Sequence, residues 1–95
     1  MRTNNRGVLR AWSRGEEAHS NNGNLLTDGE GLWSYALKIG VNFNGQRIIG
    51  DFTSPGGRFA SVTTSTHVNG AKTVADDIWH PATFQYTFHK NGTQY

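Results

Sequence analysis

Four Asn-Gly pairs divide the chain into segments of similar length, and each pair is a strong turn signal. They lie at Asn22-Gly23, Asn44-Gly45, Asn69-Gly70 and Asn91-Gly92. The hydrophobic patterns around them do not match one another, so the pairs indicate turns and not an internal repeat. In a chain of 95 residues such turns leave room for one small domain, residues 1–95, with a single core.

The composition excludes several classes of protein. There is no cysteine, which excludes disulfides, thiolate metal sites and cysteine nucleophiles, and which fits a reducing compartment. No apolar run is long enough to cross a membrane, and the N-terminal segment lacks the apolar centre of a secretory signal. Three Trp, three Tyr and five Phe can fill a compact core. The formal charge of +2 is spread along the chain, unlike the basic stripe of a dedicated DNA-binding protein.

The N-terminal segment predicts a short amphipathic helix from about Arg6 to Arg14. Arginines recur every fourth residue and would share one face of a helix: Arg2, Arg6, Arg10 and Arg14. Asn4 or Asn5 can cap the start, and Gly15 suits the position after the last turn. The arginine row is either a solvated face opposite the core or an edge that binds phosphate.

The centre of the chain predicts a three-stranded antiparallel meander from Leu32 to Thr64. Residues 16–31 contain many turn formers and read as a loop. Residues 32–41 read as the first strand, with Trp33, Tyr35, Leu37 and Ile39 on one face. The Asn44-Gly45 turn leads to a second strand over residues 46–54, and a Pro-Gly-Gly turn leads to a third over residues 58–64.

The stretch SVTTSTHVN, residues 61–69, is compatible with two structures. In one, the third strand continues, turns at Asn69-Gly70 and returns. In the other, Thr64 or Ser65 caps a helix over residues 66–79. Gly70 weakens a helix by about 1 kcal/mol relative to alanine. The helical spacing of the apolar residues and the position of Pro81 favour the helix.

The C-terminal segment predicts a strand over residues 82–89, because apolar and polar side chains alternate there. The whole pattern predicts an α+β domain with a small antiparallel sheet, made of the meander and the C-terminal strand, and two helices. Three aromatic residues of that last strand either fill the core or pair an edge strand with a second copy of the chain: Phe84, Tyr86 and Phe88.

Catalytic chemistry has little support in the sequence, and we predict no catalytic residue, no metal site and no cofactor. Ser65 and His67 are too close along the chain to act as nucleophile and base, and no nucleophile-elbow motif is present. Asp76 and His80 would lie one turn apart on the predicted helix, but two ligands do not make a zinc site. Asp51 is the only acid in the meander, so paired carboxylates are not available.

Anion recognition has more support. If a helix opens at the hydroxyl cluster, its free backbone N–H groups and the side chains of Thr63, Thr64, Ser65 and His67 form a corner that suits phosphate. Arg47 and Arg58, on neighbouring predicted strands, could add positive charge. The alternative is that one hydroxyl caps the helix and the cluster binds nothing. Stacking of single-stranded nucleic acid on Trp33 and Tyr35 is a further alternative, although a small core needs the same rings.

Three segments together resemble a family of small uncharacterised proteins of phages and archaea. The segments are Thr27-Asp28-Gly29, the stretch LWSY at residues 32–35, and the stretch from Ser61 to Asn69. The resemblance covers roughly residues 8–76, and the final strand lies outside it. It carries no known activity, but it implies a virus-encoded accessory protein in the cytoplasm of a bacterial host. It also implies a set of functional positions: Ser34, Tyr35, Thr63, Thr64, Ser65 and His67.

Two functions follow as expectations. The first is a non-enzymatic phage accessory protein that binds a host protein or complex, including one of host defence. The alternative is a binder of nucleotide or nucleic acid that uses the corner at Thr63–His67 together with Arg47 and Arg58. No membrane association is expected, and a homo-oligomer is compatible with the sequence.

Overall fold

The computed structural model describes residues 1–53 and 61–88. Three helices and seven strands lie in these two segments. In chain order they are β1 (Arg2–Thr3), α1 (Asn5–Ser13), β2 (Glu17–Ser20), β3 (Leu25–Asp28), β4 (Gly31–Ser34), β5 (Leu37–Phe43), β6 (Gln46–Gly50), α2 (Val62–Ala71), β7 (Asp77–Trp79) and α3 (Pro81–Phe88).

The seven strands form one mixed sheet in which spatial order follows chain order from β1 to β7. Strands β2 to β6 are an antiparallel meander, whereas β1 and β7 run parallel to their neighbours at the two edges. A parallel pair needs a crossover, and helices α1 and α2 supply the two crossovers. The α+β class is therefore confirmed, but the sheet is larger than predicted and is not purely antiparallel.

The helices cover both faces of the sheet. On one face, a side chain placed at Gly40 would meet the Trp12 ring of α1 at 3.0 Å, and α1 also contacts α2. On the other face, a side chain placed at Gly50 would meet Phe84 of α3 at 2.8 Å. Gly40 pairs with Ile49, and the neighbouring Gly50 points to the opposite side. Both faces of the central strands therefore contribute to the core.

Helix α1 and the hairpin at Asn44-Gly45 confirm their predictions. Asn4 caps α1, because its Oδ1 accepts a hydrogen bond of 2.8 Å from the amide of Gly7. Gly15 follows the helix at a φ of 74°. The Asn44-Gly45 turn joins β5 to β6 with both residues at positive φ, as a tight hairpin requires. Asn22-Gly23 likewise forms the turn between β2 and β3.

The predicted loop over residues 16–31 is wrong, because it contains β2 and β3. Their buried positions alternate regularly, but small or hydroxyl side chains occupy most of them. Ala18, Ser20 and Thr27 are buried, and Leu25 is the only large apolar residue among the inward positions. A hydropathy pattern detects this alternation poorly because buried serine and threonine look polar.

The long first strand over residues 32–41 is also wrong. A turn at Tyr35-Ala36 separates β4 from β5. Tyr35 has a φ of 57°, a conformation uncommon for a residue with a side chain. The turn contains no Gly, Asn or Pro, so the sequence gives no signal for it. Trp33 and Tyr35 consequently do not form the shared strand face that was predicted.

A helix is confirmed in the hydroxyl-rich segment, but its position differs from the prediction. Helix α2 starts at Val62, where Ser61 is the cap, and it ends at Ala71. The third strand of the predicted meander is therefore wrong over residues 61–64, and its remainder lies outside the described residues. Asn69-Gly70 lies inside α2 and makes no turn. The missing side chain of Gly70 allows close approach of α1, since a Cβ there would lie 3.1 Å from Leu9.

The predicted C-terminal strand is wrong because residues 81–88 form helix α3. Pro81 occupies the first helical position, where its missing N–H is not needed. His80 precedes it, and its Nδ1 accepts a hydrogen bond of 3.1 Å from the Ala82 amide. The apolar residues at 84 and 88 satisfy a period of four as well as a period of two. The ring centroids of Phe84 and Phe88 lie 5.0 Å apart on one side of the helix.

Candidate functional site

The structure brings together three residues of the sequence-predicted site in a buried hydrogen-bond network. Ser34 ends β4, and Thr64 and His67 lie one turn apart on the inner side of α2. The Ser34 hydroxyl lies 2.9 Å from Thr64 Oγ1 and 2.7 Å from His67 Nδ1. All three side chains are buried. The network therefore fixes α2 to the end of β4.

The Ser34 hydroxyl carries one proton, so it donates to one of its two neighbours, Thr64 Oγ1 or His67 Nδ1, and accepts a hydrogen bond from the other. Burial favours the neutral ring, because it lowers the pKa of His67 below the ordinary value of 6.5. Ser34 Oγ is 0% exposed, so this serine is enclosed by the fold, and its role is to orient the imidazole.

Tyr35 and Thr63 lie at the surface beside this network. Tyr35 is half-exposed, and its ring centroid lies 6.5 Å from that of His67. Thr63 is exposed on the first turn of α2. Together with Ser61 and Leu37 they line an open depression of about 470 Å³. The predicted site residues Ser34 and Thr64 also line this depression, so four of them meet at one shallow place.

The predicted anion corner has a different geometry. Ser61 Oγ accepts the amide of Thr64 at 3.0 Å, so the helix cap lies before the hydroxyl cluster and the predicted caps Thr64 and Ser65 are wrong. Thr66 donates its hydroxyl back to the carbonyl of Val62 at 3.1 Å. The Thr63–His67 side chains are thus distributed around a helix. They do not converge on its free amides.

Arg47 is engaged by the fold. Its Nε donates to the Val74 carbonyl at 2.8 Å, and its Nη1 donates to the Ser13 carbonyl at 3.2 Å. Its backbone amide and its guanidinium also bind the Asp76 carboxylate. Asp76 is therefore committed to Arg47 and forms no ligand pair with His80. The other predicted arginine, Arg58, lies outside the described residues.

A groove of about 480 Å³ runs between α1 and α2, and sequence reasoning did not predict it. We call it the α1–α2 groove. Its apolar part is formed by four residues: Leu9, Leu25, Gly70 and Val74. Its polar part is formed by seven: Asn5, Arg6, Arg10, Ser13, Thr66, His67 and Thr73. No acidic residue lines it within the described chain. An open depression of about 530 Å³ adjoins it, because Asn5 and Arg6 line both.

The two arginines of the groove have no acidic partner. Arg6 and Arg10 are exposed, and neither has a carboxylate within ion-pair distance in the described segments. By contrast Lys72, at the end of α2, pairs with Asp51 at 3.0 Å. The sequence did carry a signal for the groove arginines, namely the four-residue spacing that suggested a phosphate-binding edge.

His67 connects the buried network to the groove. Its Nδ1 is engaged by Ser34, and its Nε2 has no hydrogen-bond partner in the part of the chain that is described. Within the described residues, Ser65 Oγ is the one fully buried side-chain polar atom that has no hydrogen-bond partner. Nε2 also has no partner, so it is not fully buried and retains contact with solvent. His67 also lines the groove. The sheet thus holds an imidazole nitrogen at the wall of the groove.

Two further observations concern metal binding and membrane crossing by the described residues. They contain no cluster of three or more histidine, aspartate or glutamate side chains that could hold a metal ion. The helices in residues 1–53 and 61–88 are all too short to cross a bilayer.

Comparison with models of known families, with curated proteins and with solved structures finds no match.

Proposed function

We propose that this protein is a non-enzymatic binding module that docks a protein of its host in the α1–α2 groove. The observation that carries the proposal is the composition of this groove, which combines a largely apolar floor with two arginines that have no partner within the described chain. An apolar floor gains free energy when water is removed from it, and unpaired cations favour a ligand of opposite charge. Such a surface is suited to binding another protein.

The setting of the proposal comes from the sequence resemblance. A phage accessory protein acts in the cytoplasm of a bacterial host and can work by occupying the surface of a host protein or complex, including one of host defence. The buried position of Ser34 supports a binding role, since the hydroxyl that hydrogen-bonds His67 is closed to substrates. The groove itself offers hydrogen-bond donors and apolar contacts, which are the means of binding.

Binding of nucleotide or nucleic acid is the alternative function, now supported by Arg6 and Arg10 in place of the corner at Thr63–His67. No Phe, Tyr or Trp side chain lines the groove within the described residues, and the His67 ring is only 3% exposed, so bases have little surface on which to stack. Phosphate contacts would make binding weaken steeply as salt rises. This dependence separates the alternative from docking on an apolar floor.

Site-specific photo-crosslinking tests the proposed function. A photoreactive side chain at Thr73, an exposed residue in the lining of the groove, should crosslink to a host protein when the full chain is expressed in bacteria. The matched control is Leu26, which is exposed on β3 and points away from the groove, since the neighbouring Leu25 lines it. If the two positions crosslink to the same host proteins in equal amounts, or if Thr73 gives no crosslinked product, docking in the groove is contradicted.

A further inference from the structure

We infer that the partner presents an acidic, amphipathic segment to the α1–α2 groove, with carboxylates toward Arg6, Arg10 and His67 and apolar side chains on the groove floor. This inference rests on the proposed function and names the chemical class of the partner. Three features of the groove support it: the spacing of its cations, the His67 nitrogen on its wall and the apolar side chains of its floor.

The spacing of the cations suits carboxylates. Arg6 and Arg10 are four residues apart on α1, so their Cβ atoms lie about 5–6 Å from each other on one side of the helix. Guanidinium groups bind carboxylates through two parallel N–H bonds, which is stronger and more directional than a contact with a single charge. Two free guanidinium groups at this spacing can receive two acidic side chains from one short segment.

The wall of the groove offers a further polar group. The hydrogen bond between Ser34 and Nδ1 fixes the His67 ring, and its Nε2 has no partner within the described residues. In the tautomer that carries its proton on Nε2, this nitrogen donates to an acceptor, and its position is fixed by buried groups, so little freedom is lost on binding. The groove therefore presents two guanidinium groups and the His67 nitrogen, and no acidic side chain lines it within the described residues.

The floor of the groove selects an amphipathic segment. Leu9 and Val74 are partly exposed in the groove, so a partner that covers them with apolar side chains removes apolar surface from water, whereas Leu25 is already fully buried. Helix α1 has nine residues, which corresponds to about 13 Å. That length accommodates about two turns of a helix or four residues of an extended chain. A nucleic acid would meet the arginines but would leave the apolar floor without a partner.

Selection from a peptide display library tests the inference. A library of random 12-residue peptides is selected on the folded full chain, and the recovered peptides are measured by fluorescence anisotropy against three variants: Arg6→Glu, Arg10→Glu and Arg14→Glu. Arg14 is the matched control, because it follows the same helix, carries the same charge and does not line the groove. Circular dichroism verifies that each variant is folded.

The expected result is a set of peptides enriched in Asp and Glu that also carry Leu, Ile or Phe. Their affinity should fall about tenfold in Arg10→Glu, as loss of one charge-assisted contact implies, and should stay within about threefold of wild type in Arg14→Glu. Peptides without acidic enrichment, equal losses in Arg10→Glu and Arg14→Glu, or no enrichment at all would overturn the inference. Tighter binding of a labelled DNA duplex or single strand, also lost in Arg10→Glu, would overturn it in favour of nucleic acid.

The crosslinking experiment separates this failure from failure of the proposed function. A Thr73 crosslink to a host segment without acidic residues would contradict the acidic-segment inference and leave docking in the groove intact. Absence of any Thr73 crosslink would contradict both.

Discussion

Ser34 Oγ lies 2.7 Å from His67 Nδ1, and this one hydrogen bond joins the end of β4 to the inner face of α2. The same hydroxyl lies 2.9 Å from Thr64 Oγ1. A serine on the sheet therefore controls both the attachment of α2 and the orientation of the imidazole that lines the α1–α2 groove. The resemblance pointed to these residues as functional positions, and their geometry assigns them a positioning role.

Replacing Ser34 with alanine should destabilise the protein by about 1–3 kcal/mol, because it leaves a buried ring nitrogen and a buried hydroxyl without their shared partner. Chemical denaturation monitored by tryptophan fluorescence measures the change in the free energy of unfolding. Thr63→Ala is the matched control, since Thr63 is exposed beside the network, and it should change stability by less than about 0.5 kcal/mol. Equal effects of the two substitutions would mean that the network contributes nothing.

The stability of the fold should decrease as pH falls from 7.5 to 5.5. Burial lowers the pKa of His67, so the unfolded chain, with the ordinary value of 6.5, takes up its proton first. This contribution is fully present above 6.5 and is lost as pH falls toward the lower folded value. Denaturation curves at both pH values should show a smaller change in His67→Gln than in wild type. His19→Gln, at an exposed position of β2, controls for the loss of an imidazole outside the buried network.

Asp51 contributes a separate loss of stability at lower pH. Burial raises the pKa of this carboxyl, but hydrogen bonds from Thr53 and Lys72, together with the positive charge of Lys72, outweigh it and lower the pKa below 3.8. Because the folded pKa is the lower one, this stability is present above 3.8 and is lost as pH falls below it. Lys72→Met should reduce the loss between pH 4 and pH 2.5, while the change between pH 7.5 and 5.5 should persist. A change confined to the higher range would contradict the assignment.

Gly29 should tolerate no side chain. Its φ is 99°, and a Cβ there would lie 2.6 Å from the carbonyl oxygen of Gly15, which follows α1. Gly29→Ala should therefore cost about 3 kcal/mol or more, from backbone strain and from displacement of one segment by the other. Gly23→Ala is matched, since Gly23 also has positive φ but no atom within 4 Å, and it should cost about 1 kcal/mol. Thermal denaturation of both variants measures the difference.

The sequence predicted local structure well where backbone chemistry decides it. The cap at Asn4, the glycine after α1 and the hairpin at Asn44-Gly45 each depend on one or two residues with strong conformational preferences. The Thr27-Asp28-Gly29 segment is also turn chemistry, because Asp28 Oδ1 accepts the amides of Glu30 and Gly31 at 2.9 and 2.8 Å. Such features need no information from distant parts of the chain.

Elements that depend on tertiary packing were not predictable. The turn at Tyr35 has no turn-forming residue, and strands β2 and β3 bury mainly small or hydroxyl side chains. The segment that became α3 is apolar at a spacing that suits both a strand and a helix. The α1–α2 groove depends on the contact between two helices that lie far apart in the sequence. The sequence therefore showed the row of arginines but did not predict the groove that two of them line.

A substitution at Arg6 should change the stability of the fold and the affinity for a peptide in opposite directions. It lies in the first turn of α1, where a positive charge opposes the helix dipole, and four residues before the like charge of Arg10. Arg6→Glu should therefore stabilise the fold by about 0.5–1 kcal/mol, because a carboxylate suits a helix N-terminus and can pair with Arg10.

The same substitution should weaken binding of an acidic peptide, since it removes one groove cation and occupies the other. Urea denaturation and peptide anisotropy measure the two effects on one protein, and Arg6→Gln should give smaller changes of the same signs. Opposite changes in stability and affinity would mean that Arg6 serves binding at the expense of the fold. A variant that is less stable than wild type, or one whose affinity is unchanged, would instead mean that Arg6 has a structural role and does not serve binding.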